Sequence, residues 1–437
     1  MFKINLQNKK LAINGGRPIR KKRWSNNVTT DNKELEIIKK VIKTGNLSLF
    51  EGSHKPDYPF SFGGGPFVKN LEKEWSKFYR IRNSVSMNSA TSCLFASIGA
   101  LEIGYGDEVI VSPFTMTACA LAPLIYGAIP IFADVEENTG CIDPKSFQEK
   151  ITKRTKAIII VHQFGFPADM RKILSIAKKN NIKIIEDCAQ AHAAKYMDKY
   201  VGTIGDIGVF SLNVNKAIQT GEGGICVTNS DKIAYRLKLI RNHGEAVVEK
   251  ARYKNIINIA GFNYRMTEIT AAIGLSQLKK LNLLNKKRIE LIRYFVKKLP
   301  KLDFIKPMSG REKKNKLNGN KSTYYIFPLI FDKTKTNISR KSFVKTANAE
   351  GAAFYEAYVK PLYLQPLYQK KILFKKGYPF SAKENRKIKT NYFKNSCPVA
   401  EKLHFNKIVL NEHIRFPHKK KDIDDLINII NKIIKCK

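Results

Sequence analysis

With 437 residues, 43% of them hydrophobic, the chain can bury a large core and form more than one domain, which excludes wholesale disorder. Lys and Arg (78) outnumber Asp and Glu (37), a net charge of +41 that can attract nucleic acid, anionic lipid or a nucleotide-linked substrate. The lysines are spread along the whole chain, as a composition bias would leave them. Seven cysteines with no CxxC pair argue against a disulfide framework and suit reduced thiols in a cytoplasm. The basic N-terminus is followed by no apolar signal-peptide core. Residues 109–133 are uncharged and long enough to cross a bilayer, but Pro113, Pro123, Gly127 and Pro130 break them into strand, short helix, strand.

Residues 1–34 read as an N-terminal arm, with a Gly-Gly-x-Pro turn at Gly15 to Pro18 and a basic run Lys21-Lys22-Arg23 that is a solvated patch or a targeting signal. Apolar spacing predicts a helix over 32–44. Residues 45–67 are a loop rich in Gly, Ser, Pro and aromatics, either mobile or beside a substrate. Its Gly63-Gly64-Gly65 follows no strand, so it is no dinucleotide fingerprint. A helix over 68–79 and a strand over 84–87 lead to Asn88-Ser89-Ala90-Thr91-Ser92, which opens a helix reaching 101. Such a helix start is either a phosphate site or an ordinary Ser/Thr cap.

Strands over 109–111, 129–135, 157–161, 182–186 and 207–211 recur about every 25 residues, with helical stretches such as 170–179 between them. This rhythm is that of an α/β sheet covered by helices. Sites in such folds lie beyond the C-terminal strand ends. Met116, His162, Asp187 and Ser211 all fall there, which points to a common pocket. His162 is a proton-transfer group or a satisfied structural histidine. His192 either orients Asp187 or simply starts a helix. No two histidines have zinc-helix spacing, so no metal site is expected.

The segment from Glu186 to Gly224 brings together Asp187, Gln190, His192, Ser211, Lys216 and the run Thr220-Gly221-Glu222-Gly223-Gly224. A buried carboxylate, a hydroxyl and a lysine at neighbouring strand ends are the parts that hold pyridoxal phosphate (PLP). The lysine amine condenses with the aldehyde, the aspartate keeps the ring nitrogen protonated, and the hydroxyl donates to the phosphate. The pattern Asp187-x-Ala189-Gln190-Ala191-His192, Ser211-x-x-x-x-Lys216 and Thr220 to Gly224 resembles the PLP-binding core of the DegT/StrS sugar aminotransferases. That resemblance runs over about 11–426.

It implies fold type I: a large α/β domain over 35–298, with a mixed, mostly parallel sheet sandwiched by helices, and a smaller C-terminal α+β domain over 299–437. It implies Lys216 as the cofactor-bonding lysine, Asp187 on the ring nitrogen and Gln190 on the ring oxygen or face. Ser211, Ala90, Thr91 and Ser92 would hold the phosphate. Met116 stands where the family usually stacks an aromatic residue on the ring, so weaker stacking is expected. Asn263, in Gly261-Phe262-Asn263-Tyr264-Arg265-Met266 at the start of a helix reaching about 281, would contact the phosphate of the partner subunit, making the working unit a homodimer with a shared site. The implied reaction is transfer of an amino group from L-glutamate to a nucleotide-linked keto-sugar, for polysaccharide or glycoconjugate biosynthesis in the cytoplasm, without nucleic acid or membrane insertion. The alternatives are sugar dehydration on the same scaffold, where relatives carry histidine in place of the lysine, and a non-enzymatic DNA- or partner-binding protein.

Beyond 298 the expectations are an exposed charged loop over 308–322, a strand over 324–331, a helix over 340–351 and a substrate-facing or packing turn at Pro361 to Pro366. A variable basic loop over 380–394 and a closing helix over 423–434 complete the reading.

Overall fold

Seven strands form the central sheet: β1 (Asn83–Met87), β2 (Glu108–Val111), β3 (Ile129–Phe132), β4 (Thr155–Val161), β5 (Lys183–Asp187), β6 (Ile207–Ser211) and β7 (Gly224–Thr228). Their spatial order is β1-β7-β6-β5-β4-β2-β3. β2 to β6 are mutually parallel, and β7 runs antiparallel to both β1 and β6. The chain is represented by a computed structural model that describes residues 1–51, 61–244, 259–310 and 319–436. Ile158 to Ile160 and Ile184–Ile185 are buried on both faces of the sheet, as parallel strands covered by helices must be. Strand β7 went unread, because its short apolar core, Ile225-Cys226-Val227, follows directly on the glycine run. The uncharged stretch at 109–133 does resolve into β2, a helix and β3, and among the described residues no helix is long and apolar enough to cross a membrane.

Helices α1 (Asn32–Lys43), α2 (Pro66–Tyr79), α3 (Ala90–Ala100), α4 (Ala118–Ile125), α5 (Pro144–Glu149), α6 (Met170–Lys179) and α7 (Asp231–Arg241) surround the sheet. Asp31 caps α1 in a capping box with Glu34. The helix expected to end near 281 is α8 (Glu268–Lys298), 31 residues long. Polar Asn282, Asn285 and Lys286 suggest an end, yet Leu284, Ile289, Leu291, Ile292 and Phe295 keep the buried face going. Helices α1 and α2 pack on its first half.

Its last turns enter a second core. There a four-stranded antiparallel sheet, in the order β8-β9-β11-β10, is built from β8 (Ile305–Pro307), β9 (Phe327–Phe331), β10 (Tyr355–Glu356) and β11 (Ile408–Asn411). Helices α9 (Arg340–Ala349) and α10 (Lys420–Lys435) complete this core. The two cores do not follow chain order. Ile4 and Leu11 of the arm belong to the second core, while Leu362, Tyr368, Tyr392 and Leu403 return to the first. At the turn at Pro361, Tyr363 is fully buried and donates from its hydroxyl to Glu401 at 2.5 Å, the packing contact of the turn. The basic loop at 380–394 lies on the sheet edge, with Tyr392 Oη donating to Pro130 O at 2.6 Å. Of the loop at 45–67, Phe50 bridges Ser61 and Pro66 opens α2, while 52–60 lie outside the described residues, as do 311–318 of the charged loop.

The arm is fastened to the second core by aromatic and basic groups. Trp24 stacks on His413, with ring centroids 5.3 Å apart, and the Arg20 guanidinium sits 3.9 Å above the Trp24 ring. His418 Nε2 accepts from Ser25 N (3.1 Å), and its Nδ1 lies 3.1 Å from Arg415 O. This arrangement needs a neutral ring. Burial, helped by the Arg415 charge, holds His413 down to about 4, and burial also lowers His418. Both depressions favour the neutral ring in the folded state. Their contribution is therefore fully present above about pH 6.5, the unfolded value, and is lost as the pH falls toward about 4. Urea unfolding at pH 5 should take up about one proton or more from this pair, and His413→Gln should flatten the slope of stability against pH by about one proton.

Candidate active site

A cavity of about 460 Å³ opens at the C-terminal ends of β5 and β6, a size usual for small-molecule sites. It is lined by Asp187, Gln190, Ser211, Lys216, Met116 and the start of α3. The ends of β5 and β6, the start of α3 and the segment before α4 aim them at the same space. The carboxylate of Asp187 ends β5. Its Oδ1 accepts from Ala189 N (2.9 Å) and its Oδ2 from the thiol of Cys119 (3.2 Å). Burial and the Asp187 charge push the Cys119 thiol far up, so it stays a neutral donor.

Ser211 ends β6 beside the turn that carries Lys216. Lys216 Nζ lies 3.4 Å from Tyr325 Oη and 4.5 Å from the centre of that ring. Gln190 is locked at both ends of its amide: Oε1 accepts from Phe164 N (2.8 Å) and Nε2 donates to Tyr358 Oη (2.9 Å). Its face, one N–H and one lone pair of Oε1 remain to meet a ligand.

At the start of α3, Ser89 Oγ accepts from Ser92 N (3.0 Å), an ordinary cap. The N–H groups of Ala90 and Thr91 keep no partner among the described residues and face the cavity. Ser92 does not line it; its hydroxyl donates to Asn88 Oδ1 at 2.6 Å. The helix start is thus both a cap and a free anion site. A side chain at Gly224 would put its Cβ 2.4 Å from Ser89 C and 2.5 Å from Ala90 N, so only glycine lets β7 pass this close to the helix start.

Three residues named from the sequence stand elsewhere. His162 is outside the cavity, with Nε2 2.9 Å from Glu186 Oε2, on the opposite face of β5 from Asp187. His192 does not hold Asp187. Its ring packs against Phe210 and Trp75, and burial, with the Lys216 charge adding to it, pushes it down to about 3. Asn263 is exposed, its Oδ1 accepting from Arg265 Nε (2.8 Å), and it does not line the cavity of its own chain. Met116 is at the rim of the cavity and 53% exposed. Cys119, Tyr325 and Tyr358 went unread. Cys119 lies three residues past Met116, at the start of α4, the only sequence hint of the three.

A lysine, a carboxylate and a phosphate cradle at the mouth of this mixed seven-stranded sheet define a PLP-dependent enzyme of fold type I. The DegT/DnrJ/EryC1/StrS aminotransferase family profile matches residues 60–416, and the chain belongs to that family. It is 32% identical over 322 residues to the spore coat polysaccharide biosynthesis protein SpsC of Bacillus subtilis, covering 72% of this chain and 80% of that one. It is 41% identical over 216 residues to the GDP-perosamine synthase of Escherichia coli O157:H7, covering 49% and 58%. The X-ray structure of the aminotransferase from Psychrobacter cryohalolentis matches with a TM-score of 0.78 at 26% identity, covering 94% of this chain and 99% of that one. The protein is an aminotransferase whose cofactor is PLP.

The residues present fit that cofactor. The two free N–H groups and the glycine cradle suit a phosphate, and the buried carboxylate suits a protonated ring nitrogen. Gly224→Ala should force the start of α3 away and weaken PLP binding about tenfold or more, read by titrating the visible absorbance of the protein with PLP.

Proposed function

We propose that the chain transfers an amino group from L-glutamate to a nucleotide-linked keto-sugar, with Lys216 as the reacting lysine. The observation that carries this reading is the single cavity that gathers Lys216, Asp187, Gln190, Ser211 and the free start of α3. Bound PLP supplies an aldehyde for amine capture and a ring that withdraws electrons from the donor's α-carbon. The Lys216 amine would hold the cofactor through its aldehyde, and the same amine would take the proton from the donor's α-carbon and return it. Asp187, kept in place by Ala189 N–H and the Cys119 thiol, sets a negative charge against the ring nitrogen. Ala90, Thr91 and Ser211 hold the phosphate, with Ser92 acting through the cap. Gln190, fixed by Phe164 and Tyr358, presents its amide face to the ring, and Met116 offers its thioether at the open side.

The sugar nucleotide is supported by the name of the perosamine synthase and the net positive charge, and a polysaccharide pathway by the name of the spore coat relative. We place the enzyme in the cytoplasm, in keeping with seven buried cysteines held as thiols.

The test is the visible spectrum of the PLP-loaded protein before and after L-glutamate. A yellow band that bleaches on adding glutamate is expected. Lys216→Ala should lose the band's lysine-dependent position and about 10³-fold or more in turnover. A Lys216→Ala protein with full transamination would remove the assignment. We further infer a homodimer in which Asn263 of the partner subunit completes the phosphate site. Light scattering should then return twice the chain mass, and a monomer with full activity would refute it.

A further inference from the structure

We propose that Asn27, in the N-terminal arm, is a positioning residue for Lys216. The inference rests on Lys216 being the reacting lysine. Lys216 leaves the end of β6 on a turn braced from within: Val214 N donates to Gly221 O (2.8 Å), Lys216 N to Asn213 O (2.9 Å) and Thr220 N to Leu212 O (2.8 Å). Those bonds do not use the carbonyls of Val214 and Lys216. One side chain from nearly 190 residues away meets both: Asn27 Nδ2 donates to Val214 O at 2.8 Å and to Lys216 O at 2.9 Å. An amide nitrogen carries two N–H groups, so a single Asn spends both on the turn and fixes the spacing of its carbonyls.

Asn27 is only 8% exposed, and the arm alternates around it, with Thr29 inward and Val28 and Thr30 outward. The arm is anchored on either side. Downstream, Thr29 Oγ1 donates to Gln277 Oε1 of α8 (2.8 Å), and Gln277 Nε2 donates back to Thr29 O (3.0 Å). Upstream, Trp24 Nε1 donates to Gly351 O (2.8 Å) in the second core. Asn27 therefore grips the lysine turn from a mount that is separate from it. A lysine that must both hold a cofactor and carry a proton depends on where its backbone starts, and misplacement by about 1 Å can cost about 100-fold in rate.

Asn27→Asp keeps the size but sets acceptors against two carbonyl oxygens, and Asn27→Ser replaces the two amide N–H donors with one hydroxyl on a shorter side chain that cannot serve both carbonyls. Three readouts are needed on the full chain: hydrogen exchange of the segment 212–221, the apparent pKa of the visible band of the PLP-loaded protein, and the rate at which L-glutamate bleaches that band. We expect exchange protection to fall about tenfold or more in that segment alone, the band's pKa to move, and the bleaching rate to drop about 10–100-fold. Unchanged protection in Asn27→Ser would overturn the proposal. So would lost protection with the band's pKa and the bleaching rate unmoved, which would leave Asn27 a merely structural brace. Should Asn27→Asp not fold, Asn27→Ser carries the same three readouts. Failure of the lysine assignment itself would show separately, as turnover retained by Lys216→Ala, while the exchange result would stand.

Discussion

Two carboxylates in succession at the end of β5 govern this structure. Strand alternation sends Glu186 to one face of the sheet and Asp187 to the other. Glu186 is fully occupied: its Oε1 accepts from Ile204 N and Gly205 N, and its Oε2 accepts from Gly202 N and meets His162. It ties the loop before β6 to the back of the sheet and so sets where β6 begins and where Ser211 and the lysine turn emerge. Asp187, on the front, keeps an acceptor edge for the cavity because its protein partners are one N–H and one weak thiol. A shift of β5 by one residue would exchange the two and lose both the loop anchor and the ring-nitrogen partner at once.

Much of the site was legible because it is local. Asp187, Gln190, Ser211 and Lys216 fall within thirty residues, with a spacing that strand ends dictate, and their cavity follows from the parallel sheet. The free helix start at Ala90 and Thr91 was legible for the same reason, since caps are written in the four residues that form them. The residues that hold these groups in place were not legible. Tyr358 reaches Gln190 across 168 positions and Asn27 reaches Lys216 across 189, and no periodicity encodes such contacts. The choice of thiol at Cys119 is invisible until α4 is laid against β5.

The fold was legible in the same uneven way. Strands rich in isoleucine declared themselves, whereas β7, with three apolar residues behind a glycine run, did not. Helix α8 outran its expected end because a run of polar residues looks like a terminus, although Asn285 within it is buried and donates to His192 O at 2.8 Å. The segment at Pro361 carried two readings, substrate-facing or packing turn, that its sequence alone does not separate. In the fold, Tyr363 spends its hydroxyl on Glu401 inside the core, and it is Tyr358, a few residues earlier, that reaches the cavity. Helix α8 and the arm link the two halves: α8 contributes to both cores, and the arm puts Ile4 and Leu11 into the second while Thr29 bonds Gln277 in the first half of α8.

The distribution of sulfur has a consequence for how the enzyme meets oxidative stress. All seven thiols are buried, and burial holds the Cys119 thiol in its unreactive, protonated form. Met116, at the open rim of the same cavity, is more than half exposed. A peroxide therefore reaches a thioether beside the chemistry before it reaches a thiol. Methionine sulfoxide is a lesion that reductases reverse, whereas over-oxidised cysteine is mostly permanent. In this chain the damage nearest the cofactor site falls on the atom that can be repaired.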